Sequence, residues 1–195
     1  MVIDINLNNN SFEESFYNIN LSIQEAFHDF EMNIILSKYA FLQENGIILE
    51  DADETKKSSF IQKCKQFINN LVETIKRKIK ELKKKASDTI KAIKEKKAKN
   101  KSDKELQKLF DKTESDLNAN EAEIYDDLSS WSKVESAKLN NMVIEVDYTV
   151  EEVVKTEPVK KSWNKYGTET KSIVDKFKKD VEKFSNKSSA SPDIA

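Results

Sequence analysis

The stretch 64–93, CKQFINNLVETIKRKIKELKKKASDTIKAI, decides the fold. Cys64, Ile68 and Leu71 form a triplet; Ile75, Ile79 and Leu82 repeat it eleven residues later, and Ala86, Ile90 and Ile93 eleven later still. Steps of four and three place all nine on one face of an α-helix. An eleven-residue period means about 3.67 residues per turn, so the stripe runs straight or winds slightly right-handed, unlike a heptad coiled coil. Its back is basic: Lys76, Arg77, Lys80, Lys83, Lys84, Lys85, Lys91 and Lys94. Between Lys76 and Lys101 there are 13 basic residues against three acidic ones, Glu81, Asp88 and Glu95. The segment reads as one helix over about 57–99, roughly 65 Å long at 1.5 Å per residue. That exceeds the diameter of a compact domain of this size, so part of the helix is expected to project or to pack on another chain.

The composition agrees with a helical fold. The 195 residues include only two Gly and two Pro, the usual punctuation of turns. Long helices with few loops fit this, and sandwiches, barrels and doubly wound sheets do not. Hydrophobic content is 37% and charged content 35%, poor in apolar residues for a globular chain but too apolar for full disorder. Cys64 is the single cysteine, so an internal disulfide is impossible and a reducing compartment is expected. Met1 to Asn10 has neither a basic n-region nor an apolar h-region, so no secretory signal is expected. The longest apolar runs, such as Ile34-Ile35-Leu36, are far short of the roughly 20 residues of a membrane span.

Charge alternates along the chain. The net charge is −10 over residues 1–54, +13 over 55–101, −9 over 102–157 and +4 over 158–195. Blocks of opposite sign suggest segments that fold back on one another, or copies that pair head to tail.

Outward from the central stripe, residues 1–10 read as an extended arm and Ser11 with Glu14 as a capping box. The helix after it carries Phe12, Phe16, Ile19, Ile23, Phe27, Phe30 and Ile34, continues through Phe41 and Leu42, and ends at Gly46. Ile47-Ile48-Leu49 is β-branched and short. Ser102 with Glu105 opens a third helix carrying Leu106, Leu109, Phe110, Leu117, Ile124, Leu128, Trp131 and Leu139. Its pattern weakens between 113 and 123, where a kink is expected. Ile144, Val146, Tyr148 and Val150 alternate as a strand would and could pair with Ile47–Leu49. After Pro158 a last helix carries Trp163, Tyr166, Ile173, Phe177, Val181 and Phe184, and the Ser-rich 185–195 reads as a disordered tail. The fold expected is mainly α: an elongated helical bundle or hairpin of three to four long helices, with at most a minimal two-strand β element. Its divisions are an arm at 1–10, a helical domain at 11–157, a C-terminal helix at 158–184 and the tail.

Four readings of the basic helix stay open. The stripe is a bundle seam and the lysines, whose stems cover apolar surface, are solvated. The acidic first or third helix lies against it. The helix lies on an anionic membrane surface, although residues 68–109 contain no Phe, Tyr or Trp to anchor it. Or it contacts nucleic-acid phosphates non-specifically, without base stacking for the same reason.

Chemistry is sparse. His28 is the only histidine, and with one cysteine there is no set of His and Cys ligands for a metal. Cys64 lies on the stripe and reads as a small buried hydrophobe. Glu50, Asp51, Asp53 and Glu54, and Glu121, Glu123, Asp126 and Asp127, form acidic clusters. The first lacks the glycine and terminal glutamate of a calcium loop, and helix capping and solvation account for it. There is no Gly-rich phosphate loop or nucleophile elbow. No catalytic residue, cofactor, metal or small-molecule substrate is expected.

The run Glu25-Ala-Phe-His-Asp-Phe-Glu31, then Glu44-Asn-Gly-Ile-Ile-Leu-Glu-Asp-Ala52, then Ser58-Ser-Phe-Ile-Gln-Lys-Cys-Lys-Gln-Phe67 and the Lys-rich helix resemble small helical virion and assembly proteins of tailed bacteriophages. The resemblance covers about the first half of the chain. It implies a scaffold, inner-capsid or accessory protein, made in the cytoplasm of the producing cell and then carried in the virion, and it transfers no functional residue. The expected partners are further copies or other structural proteins of a particle, with non-specific nucleic-acid or anionic-membrane contact as the alternative.

Overall fold

The eleven-residue period that marks the basic helix runs through every helix of the protein. The computed structural model describes residues 6–45, 54–97, 104–141 and 153–188. They form a helical bundle of α1 (Asn6–Asn45), α2 (Glu54–Lys97), α3 (Lys104–Asn140) and α4 (Glu157–Ser188), with no strand among the described residues. Buried residues recur at eleven on α1 (Phe12, Ile23, Ile34; Ile19, Phe30, Phe41) and on α3 (Leu106, Leu117, Leu128, Leu139). On α4 the series is Val159, Thr170, Val181. All nine members of the α2 stripe are buried. Three turns of α-helix take close to eleven residues, so this period keeps one face turned inward along each helix.

The chain divides into two compact units, each a four-helix bundle of its own: 1–19, 79–123 and 164–195 make the first, 20–78 and 124–163 the second. In the first unit Phe12 and Ile19 meet Ile79, Leu82, Ala86 and Ile90 from α2, Leu117 from α3, and Val174, Phe177 and Val181 from α4 in the buried core. Two polar groups are built into it. Tyr166 Oη donates to the Ile79 carbonyl at 3.2 Å, and Asn120 Nδ2 donates to the Tyr166 carbonyl at 3.2 Å and to Thr170 Oγ1 at 3.0 Å. Gly167 lies inside α4, where glycine costs roughly 1 kcal/mol relative to alanine. A Cβ there would stand 3.2 Å from the Phe16 ring, so its absence lets α1 and α4 approach.

In the second unit the core is more aromatic: Phe27, Phe30, Phe41, Phe60, Trp131 and Trp163, with Ile23, Ile34, Ile68, Leu71 and Leu128. Both tryptophans bury their rings and satisfy their N–H groups. Trp163 Nε1 donates to Asn20 Oδ1 at 2.9 Å, and Trp131 Nε1 to the Lys155 carbonyl at 2.6 Å. Glu135 occupies a stripe position on α3 and is buried. Its carboxylate accepts from Lys138 Nζ at 2.6 Å and from the Lys155 N–H at 3.2 Å. Among the described residues no buried side-chain N or O lacks a partner.

Several expectations change. Helix α1 already includes Asn6–Asn10, so the stretch 6–10 is not an extended arm and Ser11 does not begin the helix. Adding residues to an existing helix costs far less than starting one. Helix α2 spans 54–97 in place of 57–99. It does not project, because its stripe is buried through Ile93 by its own chain. The expected kink in α3 is absent: one helix runs from Lys104 to Asn140. The weak part of its pattern is carried by buried Thr113 and Asn120, whose polar groups are bonded to the Leu109 carbonyl and to α4. On α4 the inward residue is Val174, and Ile173 is half-buried; the helix runs to Ser188, into the expected tail. The proposed strand pair, Ile47–Leu49 with Ile144–Val150, Gly46 and residues 189–195 lie outside the described residues.

Candidate functional site

Three surfaces bear on function: the outer face of α2, two clefts, and the outer face of α1.

The basic face of α2 is divided. Lys76, Lys83 and Lys94 are half-buried and engaged. Lys83 pairs with Glu121 of α3, Lys76 Nζ meets Glu73 at 2.9 Å, and Lys94 Nζ donates to Gln107 at 2.6 Å and stands 4.1 Å over the Phe110 ring. Ser87 Oγ donates to Glu114 at 2.5 Å. The acidic third helix therefore lies against the basic one, as the charge blocks suggested. Arg77, Lys80, Lys84, Lys85 and Lys91 face outward, but so do Glu81, Asp88 and Glu95, seven residues apart. Opposite charges three and four residues apart on a helix face attract one another, so this surface is a mixed one.

Two clefts are lined by described residues alone. One, of about 250 Å³, lies between α3 and α4 in the first unit and is lined by Thr113, Asp116, Lys176 and Phe177 among others. The other, of about 430 Å³, lies in the second unit beside the start of α4 and is lined by Glu31, Ile35, Val154 and Lys160 among others. Glu31 is its main acid. Its carboxylate accepts from Thr156 Oγ1 at 2.6 Å and from Lys160 Nζ at 2.7 Å. Burial pushes the Glu31 carboxyl up; the hydrogen bonds from Lys160 and Thr156 and the Lys160 charge outweigh it and hold the group below its ordinary value. The carboxylate also faces the positive end of the α4 dipole. This is an anchor of α1 to α4, with its acid and base spent on each other.

The remaining titratable candidates are structural or exposed. Cys64 is fully buried, and burial pushes its thiol up to about 12. His28 is exposed. In the second acidic cluster, Glu121 pairs with Lys83, Glu123 with Lys165, and Asp127 accepts from Ser162 at 2.7 Å. Of the first cluster only the backbone of Glu54 is described. No group of His, Cys, Asp and Glu among the described residues is placed to hold a metal ion.

Among the described residues, most of the exposed large hydrophobics lie on the outer face of α1. Leu21 is 43% exposed, Met32 39%, Leu36 59% and Tyr39 68%, and Tyr17 one turn earlier is exposed as well. Only one other large hydrophobic among the described residues, Val134, is exposed. Leu21 and Met32 are eleven residues apart, as are Tyr17, His28 and Tyr39, so they form a second stripe turned about the helix from the buried one. Scattered exposed hydrophobics are ordinary; here Met32, Leu36 and Tyr39 follow one another at steps of four and three, with Leu21 beyond the exposed Glu25, His28 and Asp29. The exposed charges on α1 are Glu14, Glu25, Asp29 and Glu44; its one lysine, Lys38, is half-buried. The second stripe is legible in the sequence as the eleven-residue spacing of Leu21 with Met32 and of Tyr17, His28 and Tyr39, a weaker series than the one on α2.

No protein family, characterised protein or solved structure matches the chain. No described helix is long and apolar enough to cross a membrane.

Proposed function

We propose that this is a non-enzymatic structural or assembly protein that acts through helix–helix association, and that it is a virion component of the tailed-bacteriophage kind its first half resembles. The observation that carries the reading is the exposed apolar line on α1. The core is already filled by the inward stripes, so packing among the described residues does not account for Leu21, Met32, Leu36 and Tyr39. Supporting it, the polar groups that could serve chemistry are spent on holding helices together: Glu31 with Lys160, Glu121 with Lys83, and Asn120 with Thr170. The partners proposed are further copies or other structural proteins of a particle. The test is the mass of the chain by size exclusion with light scattering, together with its recovery in particles purified from the producing cell. A chain that is strictly monomeric and absent from every particle overturns the proposal.

A second reading, a peripheral binder of anionic surfaces, is favoured by one observation. Lys161, Lys176 and Lys179 on α4 are exposed and have no ion-pair partner among the described residues. Flotation with anionic liposomes and a salt-titrated DNA shift test it, and no binding at low salt removes it. Lys84, Lys85 and Lys91 are the α2 residues to neutralise in that experiment, since Lys83 is committed to Glu121.

A further inference from the structure

The outer face of α4 has a pattern complementary to that of α1. Lys165, Thr168, Ser172, Lys176, Lys179 and Lys183 are all exposed and spaced three, four, four, three and four apart. They form one stripe with no exposed acid; Glu169, Asp175, Asp180 and Glu182 are half-buried at its sides. It spans 19 residues, as does the line from Leu21 to Tyr39, or about 27 Å of helix each between the end residues. One face is apolar and acidic, and the other is basic with short polar side chains in its middle.

Resting on the association reading above, we infer that the outer face of α1, from Leu21 to Tyr39, docks antiparallel on the α4 stripe, from Lys165 to Lys183, of a second copy of this chain. The register follows from the residues. With Leu21 opposite Lys183 and Tyr39 opposite Lys165, Glu25 falls opposite Lys179, and Asp29 falls opposite the half-buried Asp175 with the exposed Lys176 next to it. Met32 and Leu36 then fall opposite Ser172 and Thr168, the positions with room for a bulky apolar side chain. The parallel alternative sets Glu25 against Glu169 and leaves neither Glu25 nor Asp29 opposite a lysine of the stripe. Lys165 and Lys183 already pair with Glu123 and Asp180, so Lys176 and Lys179 supply the recognition charges. Neither they nor Glu25 and Asp29 have an ion-pair partner within the described chain. Lysine stems cover apolar surface while their ammoniums stay wet, and this chain already sets Lys94 over Phe110 and Lys160 over Phe27; Tyr39 would receive Lys165 in the same way.

The contact is heterologous, because each copy offers one face of each kind. Two copies can satisfy such a contact reciprocally as a closed dimer, or pass it on into rings or filaments. A single helix-on-helix strip is small beside the roughly 1,200 Å² of a stable pairwise interface, so association is concentration-dependent and weakens with salt.

Sedimentation velocity of the full chain at high concentration and low salt tests this. Wild type is expected to form dimers or larger species that dissociate as salt is raised. Glu25→Lys/Asp29→Lys and Lys176→Glu/Lys179→Glu are each expected to sediment as monomers. All four substitutions together restore the complementary pairs and the association. These positions are exposed, and unchanged circular dichroism verifies that the variants fold. A wild type that stays monomeric overturns the contact, as does either face tolerating reversal or the fourfold variant failing to reassemble. Recovery of a monomeric wild type in purified particles would show that this contact had failed while the broader association reading stood.

Discussion

Asn120 on α3 donates to Thr170 Oγ1 on α4 at 3.0 Å, and both side chains are buried at positions where the eleven-residue stripes call for apolar residues. The same amide reaches the Tyr166 carbonyl at 3.2 Å. A buried polar group left without its partner costs about 1–3 kcal/mol, whereas replacing both partners with apolar groups of similar shape is near neutral. Asn120→Ala is therefore expected to lower the unfolding free energy by that amount, and Asn120→Leu with Thr170→Val to lower it less. A urea-denaturation double-mutant cycle measures the coupling, and additive effects would contradict it.

Substitution on the two sides of α2 should separate cleanly. Ile90 is fully buried, and Ile90→Ala is expected to cost about 2–5 kcal/mol through lost burial and a residual cavity. Lys84 and Lys91 face solvent on a mixed-charge surface, and their change to Gln should stay within about 0.5 kcal/mol. Ile79→Asp, on the same buried stripe, should unfold the chain and thereby abolish association. Chemical denaturation with circular dichroism distinguishes these outcomes; an Ile90→Ala variant as stable as wild type contradicts the burial of the stripe.

Cys64 should be chemically silent in the folded chain. Its thiol is enclosed and raised to about 12, so almost no thiolate exists near neutral pH. Reaction with a thiol reagent should proceed in denaturant and be slowed to the rate of opening in its absence. Fast labelling of the native chain would contradict the packing of α2.

Glu31 should give the second unit an acid-sensitive joint. Its folded value lies below the ordinary one, so its stabilising contribution is complete above the unfolded carboxyl value, about 4.3, and is lost as pH falls through the lowered folded value. The carboxylate and its lysine are each about one-third exposed, so screening by solvent holds the contribution to the order of 1 kcal/mol. Wild type should exceed Glu31→Gln in stability by that margin near neutral pH, and the gap should close in strong acid. A gap that persists there would assign the effect to something other than the charge.

The sequence made the helices legible because few glycines and prolines interrupt three- and four-residue apolar steps. It was least legible where a polar residue held a core position. Thr113 and Asn120 made α3 look broken, and Glu135 interrupts the same stripe, yet each is buried and bonded. Periodicity registers side-chain polarity, whereas the fold requires only that a buried polar atom find a partner. The basic helix suggested a partner surface for a related reason: composition does not reveal that Glu121, Glu114 and Gln107 lie across from Lys83, Ser87 and Lys94. The outer line on α1 differs from its inner one only in angle, and burial distinguishes the two.

The proposed association runs through the outer face of α1. It is tested most directly by sedimentation of the chain in an extract of its producing cell, comparing wild type with Met32→Glu/Leu36→Glu. Wild type is expected to travel in a species larger than a monomer, and the variant, with its helix content unchanged, as a monomer. Identical sedimentation of the two would contradict it.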